Sequence, residues 1–306
     1  MISYERFTKR FGEQRAVEDL TLAVEPGEAV ALLGPNGSGK TTTLKAAAGL
    51  IRPTSGRVTI RGAPPSVASV RRDISFLPQK VGFPDGLTGR ETLEFYRKLR
   101  GAPAERVSDV LRLASLNGAS GRQVSTYSGG MVQRLGLAVA VLPDAPVLLL
   151  DEPTAALDPD GLCAFYGLVE RRRADGHTFL FTSHQLGDAE RLADRFAILV
   201  SGRLVACLAR AELAEILSER GHMRVRLDRR SERLLERVRR SAPRALWAGE
   251  DLVVPGPARD RPGILDEIRA EGVEIRGLSA EDGRLDLLYQ ELVARPAASR
   301  SERRES

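Results

Sequence analysis

Cysteine is nearly absent from this sequence of 306 residues: Cys163 and Cys207 stand alone, and neither belongs to a Cys-x-x-Cys pair. That excludes a disulfide framework and a thiolate metal site as readings, and it fits a reducing compartment. Long hydrophobic runs are missing as well. The longest apolar stretches, such as VLLL, fall far short of the roughly 20 residues that cross a bilayer. The charged start MISYERFTKRF has no apolar segment of the kind a secretory signal needs. The expectation is a chain that neither crosses a membrane nor leaves by a Sec-type route. A block of like charge is also lacking, because the arginines behind the net charge of +5 are interspersed with acids, as in RRSERLLERVRR. Such runs read as solvated helix faces, so no direct nucleic-acid partner is expected. What remains is an ordinary globular composition, 42% hydrophobic and 28% charged, with length for one large domain and one small one.

Short β-like runs alternate with helical patterns in the first half of the chain, which predicts an α/β fold. AVALLG, FLP, VLLLDEP, TFLFTSH and RFAILVSG read as strands. Two of them, VLLLDEP and TFLFTSH, are continuous apolar runs of the kind buried on both faces of a parallel sheet. From Gln79 to Leu142 the pattern is mainly helical, and a helical subdomain is placed at about 80–143 within a domain of 1–218. The pattern resets around Ser218 to His222. MRVRLD, SERLLERVRRSA, ALWAGEDLVV, RPGILDEIRAEG and VEIRGL then read as strand, helix, strand, helix, strand. A last helix in GRLDLLYQELV completes a small α/β domain at 219–294, and 295–306 has the composition of a disordered tail.

The strand AVALL runs into GPNGSGKTT, Gly34 to Thr42, and then into the helix TTLKAAAGL. This meets the GxxxxGK[ST] pattern in the context the pattern requires. Its chemistry needs glycines so that backbone N–H groups can close around phosphates, Lys40 to reach the β and γ oxygens, and Thr41 to hold Mg2+. The strand VLLL ends in Asp151 and Glu152, where one acid can hold Mg2+ and a second can polarise an attacking water. His184 follows the apolar strand TFLFT, at the carboxyl end of a predicted parallel sheet, where ligands bind.

The stretch TYSGGMVQRLGLAVAVL, Thr126 to Leu142, has two readings. Ser128 can N-cap a helix in the ordinary way. Alternatively, Ser128, Gly129 and Gly130 present bare backbone N–H groups, at the positive end of a helix, to a phosphate.

With these residues in hand, the chain resembles the ATP-binding subunit of an ABC transporter over about residues 1–218. The resemblance implies a P-loop nucleotide-binding domain with a helical subdomain, and an ATPase with ATP and Mg2+ as cofactors. Phe11 in KRFG matches the aromatic that stacks on adenine, and Asn36, Gly37, Ser38, Gly39, Lys40, Thr41 and Thr42 fall in the Walker A loop. Gln79 in FLPQ matches the glutamine that senses Mg2+ and the attacking water, so Thr41, Gln79 and Asp151 form the implied metal set. Glu152 matches the catalytic base and His184 the switch histidine. YSGGM matches the signature usually written LSGGQ, with Tyr127 and Met131 as departures, and AALD, Ala155 to Asp158, matches the D-loop. In this family two chains close head to tail, so Ser128, Gly129, Gly130 and Asp158 are implied to contact the ATP of the partner subunit. Polytopic permease subunits follow as partners, and the cytoplasmic face of the inner membrane as location. ETLEFYRKL, with Phe83 upstream, lies where a permease coupling helix is received, or else packs as an ordinary amphipathic helix.

YSGGM followed by QRLGLA, together with GRETLEFYRKLRG and the C-terminal domain, is similar to the ATPase of the Nos system, which assists copper-site maturation of nitrous oxide reductase. Drug, lipid and gliding-motility exporter ATPases share much of this wording. Three methionines and two cysteines are too few and too scattered for copper handling by this chain, so a copper theme belongs to a periplasmic partner reached through the permease. A soluble ABC protein acting on ribosomes or DNA is disfavoured by the single cassette and the lack of a long coiled coil. A P-loop kinase or GTPase is disfavoured by the SGG motif and by the absence of an NKxD motif.

Overall fold

The computed structural model describes residues 1–155 and 157–294. The predicted tail at 295–306, and Ala156 of AALD, lie outside the described residues. The chain divides into two compact units, Met1–Leu208 and Ala209–Ser306.

In the first unit the order is β1 (Ile2–Phe11), β2 (Gln14–Val24), β3 (Ala29–Leu33), α1 (Lys40–Ala47), β4 (Ser55–Ile60), α2 (Ala68–Arg72) and β5 (Ile74–Leu77). Then follow α3 (Gly89–Arg100), α4 (Glu105–Leu113), α5 (Gly129–Val141), β6 (Val147–Leu150), α6 (Pro159–Ala174), β7 (Thr178–Thr182), α7 (Leu186–Leu192), β8 (Arg195–Val200) and β9 (Arg203–Ala209). A six-stranded sheet has the order β5-β6-β7-β3-β8-β9. The pairs β5/β6, β6/β7, β3/β7 and β3/β8 are parallel. Every residue of β3, β6 and β7 is buried, as expected of central parallel strands covered on both faces. The carboxyl ends of β3, β6 and β7 therefore open on one edge of the sheet, and each hands a different loop to that edge.

A second sheet, β2-β1-β4, is antiparallel, and the sequence pattern had not indicated it. Its alternation is broken by register shifts between Tyr4 and Phe7 and again after Phe7, with Arg6 and Asp19 both in left-handed backbone, φ 48° and 49°. Each bulge shifts the inward set by one residue, so no clean period of two survives in ISYERFTKRF. Helix α1 belongs to the core shared by both sheets: Leu44, Ala46 and Ala47 pack in one cluster with Tyr4, Phe7 and Leu20 and with Val30, Leu32 and Leu149. The Tyr4 hydroxyl, fully buried, donates to the carbonyl of Thr43 at 3.0 Å. The helix that begins at Lys40 is thereby fixed from both sides.

In the second unit, α8 (Arg210–Glu219) precedes β10 (His222–Leu227), α9 (Glu232–Ser241), β11 (Leu246–Ala248), β12 (Asp251–Pro255), α10 (Arg261–Ala270), β13 (Ile275–Glu281) and α11 (Leu285–Ala294). The antiparallel sheet β11-β12-β10-β13 buries Met223, Val225, Leu252 and Val254 against Leu234, Val238, Ile264 and Ile268 of α9 and α10. Two details differ from the sequence pattern. ALWAGEDLVV is a hairpin of two strands, because Gly249 adopts φ 64° and turns the chain between Ala248 and Asp251. The helix α8 falls in the second unit, since its Leu217 carbonyl accepts from the Gly283 amide at 2.7 Å and the Ser218 hydroxyl accepts from the Ala258 amide at 3.3 Å.

Candidate active site

The loop between β3 and α1 closes around its own lysine. Lys40 Nζ donates to the carbonyls of Gly34 at 2.7 Å and Pro35 at 3.1 Å, and Lys40 is 6% exposed. Burial lowers its pKa, while the nearby carboxylates of Glu152 and Asp151 oppose that shift. The N-cap of α1 is Gly39 at φ 101°. A Cβ there would lie 2.5 Å from the carbonyl oxygen of Ala16, so the loop can pass against β2 only with glycine at this point.

A cleft of about 500 Å³ opens over this loop. It is lined by Phe11, Asn36 to Thr42, Gln79, Glu152 and His184, and by Gln14 and Ala16. Of the residues expected around the chain's own nucleotide and metal, all but Asp151 line this one cavity, which is of a size suited to a nucleotide. Phe11, at the end of β1, is half exposed and offers its ring to the cleft mouth. Gln14 and Ala16 were not foreseen, because nothing in QRAVED distinguishes them from any strand start; the β1–β2 turn brings them there.

At the strand ends the carboxylates are held by hydroxyls and an amide. Asp151 Oδ1 accepts from Thr41 Oγ1 at 3.2 Å and from Thr182 Oγ1 at 2.8 Å. Asp151 Oδ2 and Ser38 Oγ are buried with no hydrogen-bond partner among the described residues. A buried carboxylate oxygen left so is costly unless a cation or donor reaches it. Glu152 Oε2 accepts from Gln79 Nε2 at 2.9 Å, and Glu152 Oε1 meets His184 Nε2. The backbone of Glu152 is left-handed, φ 50°, and its amide donates to Thr182 Oγ1 at 2.8 Å. Thr182 thus grips both acids, a role the sequence hid inside the apolar run TFLFT.

Ser128, Gly129, Gly130 and Asp158 do not line this cleft. Ser128 N-caps α5, its Oγ accepting from the Met131 amide at 3.3 Å. Ser128 and Gly129 are exposed. A Cβ built on Gly129 meets nothing within 4 Å, so the fold of this chain does not require glycine there. Asp158 N-caps α6 by accepting from the Gly161 amide at 2.9 Å. Tyr127 has a structural account: its hydroxyl donates to the Ala119 carbonyl at 2.8 Å and lies where a Cβ on Gly89 would be, 2.2 Å away. The phenol therefore bonds the segment before α5 to Ala119 and packs over Gly89, the first residue of α3. Nothing in the structure explains the methionine side chain at 131.

The mononucleotide-sized cleft over a Gly-Lys-Thr loop, with two acids at an adjacent strand end, defines a P-loop nucleotide-binding protein. Residues 17–155 match the ABC transporter family. Over 310 aligned residues the chain is 34% identical to the daunorubicin/doxorubicin resistance ATP-binding protein of Streptomyces peucetius, covering 96% of this chain and 92% of that protein. It is 38% identical over 211 residues to the Nod factor export ATP-binding protein I of Burkholderia lata, covering 67% and 69%. Among solved structures, the ATP-binding subunit of an ABC transporter is similar at a TM-score of 0.65 and 30% identity, covering 68% of this chain and 90% of that one. A dimeric ATP-binding cassette in a post-hydrolysis state with ADP and Pi matches at a TM-score of 0.64 and 28% identity, covering 69% and 99%. The chain belongs to the ABC transporter family as an ATP-binding subunit, and its activity is that of an ATPase.

Proposed function

We propose that the chain hydrolyses ATP in the cleft over Lys40, as one of a pair of identical subunits, and that the turnover drives export through polytopic membrane subunits. The observation that carries the mechanism is the placing of Glu152. Its carboxylate sits on the cleft wall, bonded to Gln79 and touching His184, where it can accept a proton from a water attacking the γ-phosphate. Gln79 orients that water, and His184 steadies Glu152 and the γ-phosphate. Lys40 leaves the Gly34 and Pro35 carbonyls for the phosphate oxygens, and Phe11 stacks on the adenine. Thr41, Gln79 and Asp151 would hold Mg2+, for which the unpartnered Asp151 Oδ2 supplies a fitting anionic donor. When bound, the ion neutralises charge on the phosphate oxygens.

Pairing is supported by the open end of α5. Ser128, Gly129 and Gly130 serve no phosphate in their own subunit's cleft, and a similar cassette is dimeric; with Asp158 they are assigned to the partner's ATP. The membrane partner is assigned to α3, where Phe95 and Leu99 are 57% and 67% exposed and Phe83 packs edge-on against Tyr96 at 6.1 Å. No helix among the described residues is long and apolar enough to cross a membrane, so attachment at the cytoplasmic face of the inner membrane would come through that partner.

For the cargo, the similarity to a drug-resistance ATPase extends over the C-terminal unit as well, which favours export of an organic, amphipathic molecule. The narrower reading, an ATPase of the Nos system working with a periplasmic copper-associated protein, rests on the wording of YSGGM, QRLGLA and GRETLEFYRKLRG and on the presence of a C-terminal domain. Copurification separates the two: a permease joined to a periplasmic copper-associated protein supports the Nos reading, and a permease without one supports export. The hydrolytic assignment is tested by Glu152→Gln, which keeps the side-chain shape and removes the base. ATP binding should persist while turnover falls by about 100-fold or more; near wild-type hydrolysis would sink the assignment.

A further inference from the structure

Outside the cleft, behind the loops that carry Glu152 and His184, lies a carboxylate that the proposed chemistry does not use. Asp188, in the first turn of α7, is 3% exposed. Its Oδ2 accepts from Thr154 Oγ1 at 2.6 Å, and its Oδ1 accepts from the Tyr166 hydroxyl at 2.5 Å. Ser183 Oγ lies 3.3 Å from the same Oδ2, sharing its proton with the Gln185 carbonyl at 2.9 Å. These donors come from three separate segments. Thr154 is two residues beyond Glu152, Ser183 is the residue before His184, and Tyr166 stands two turns into α6, the helix that Asp158 caps.

We propose that Asp188 is a positioning residue for hydrolysis, holding the Glu152 loop and the His184 loop in one geometry and tying both to α6. The proposal rests on the reading of Glu152 as the base. Three features make the cluster more than a buried polar group at rest. First, the Glu152 backbone is left-handed, a conformation that a glutamate keeps only where its surroundings over-determine it. The hydrogen bond that its amide donates to Thr182 Oγ1 fixes one side of the loop, and the Thr154 hydroxyl on Asp188 fixes the other. Second, hydroxyl donors to a buried carboxylate form charge-assisted bonds, stronger than neutral ones and short in this case. Third, the tie to α6 is itself braced. The Arg191 guanidinium stacks over the Tyr166 ring at 4.2 Å from its centroid. Burial, then the bond to Asp188, push the Tyr166 phenol up to about 12, so it remains a donor across the physiological range. A shift of α6, and with it of Asp158, therefore moves Asp188 and the two loops together. That gives a physical link between the segment assigned to the partner's nucleotide and the acid and histidine over the chain's own.

The test uses the full chain and compares Asp188→Asn, Asp188→Glu and Tyr166→Phe with wild type and with Glu152→Gln, measuring kcat, KM, ATP Kd and Tm. Asp188→Asn should lower kcat roughly 10- to 100-fold, the scale of loss from misplacing a catalytic group by an ångström, with ATP Kd changed by less than about twofold. Tyr166→Phe should lower kcat in the same direction by a smaller factor and lower Tm as well, since it removes a charge-assisted hydrogen bond to a buried carboxylate, and Asp188→Glu, which keeps the charge, should recover part of the loss of kcat. The proposal is overturned if Glu152→Gln is inactive while Asp188→Asn keeps kcat within about twofold of wild type. Should Asp188→Asn fail to fold, an unchanged kcat in Tyr166→Phe overturns it. Normal turnover in Glu152→Gln would instead remove the reading of Glu152 on which it stands.

Discussion

Lys40 is the residue whose charge state is most exposed to the presence or absence of ligand. In the free chain burial lowers its pKa below the ordinary lysine value, with Glu152 and Asp151 opposing. A triphosphate beside it pulls the pKa back up. Between the free and bound values, binding must therefore take up a proton, and apparent ATP affinity must fall as pH rises above the free value. The linkage to folding has the opposite sense. A lysine whose folded pKa is depressed costs stability while charged, and that cost is relieved as pH climbs from the folded toward the unfolded value. Calorimetry of ATP binding in buffers of different ionisation enthalpy should show proton uptake at alkaline pH. Lys40→Ala should abolish the uptake and weaken binding by roughly 10- to 100-fold, as for a lost hydrogen bond to a charged group.

At the scale of the element, a phenol where a leucine is usual in the family packs the segment before α5 over the start of α3. Tyr127 reaches the Ala119 carbonyl and fills the space above Gly89. The start of α3 beneath it is fixed as well, with Thr88 and Glu91 closing a capping box around Gly89. Tyr127→Phe should cost about 0.5–1.5 kcal/mol of stability, one neutral hydrogen bond, read as a lower urea midpoint at unchanged slope. Gly89→Ala should cost more, because its new methyl collides with the hydroxyl, and the double variant Gly89→Ala/Tyr127→Phe should recover part of that cost.

For the whole molecule, the glycines that open α5 are where the proposed pairing would make the single chain an incomplete site. Gly129→Asp places a carboxylate at a helix N-terminus, which by itself stabilises the helix by about 0.3–1 kcal/mol. Its Cβ meets nothing in this chain. The expected outcome is an unchanged or raised Tm, intact ATP binding by the monomer, and loss of both ATP-dependent dimerisation and turnover. Light scattering with ATP on a Glu152→Gln background, where the closed dimer should accumulate, gives the measurement. A Gly129→Asp variant that dimerises and hydrolyses normally would overturn the assignment of this helix end to the partner's nucleotide.

The P-loop, the acid pair, the signature serine and glycines and the parallel strands were legible in the sequence, because each is a local pattern: a loop chemistry, a cap, or an unbroken apolar run. The antiparallel sheet β2-β1-β4 was not, since its bulges at Arg6 and Asp19 erase the alternation by which a half-buried strand is read. Nor were Thr182 and Asp188, whose neighbours in the chain give no hint of their neighbours in space. Thr182 sits inside an apolar strand and Asp188 in a short charged helix, and each acquires its partners only when β6, β7, α6 and α7 come together. By itself, the sequence determined which residue types stand at the local spacing that phosphate binding and proton transfer need, because a motif depends only on residue type and position along the chain. Tertiary structure alone decided how Glu152 and His184 are held relative to one another, because that geometry is set by hydrogen bonds between segments 30 and more residues apart.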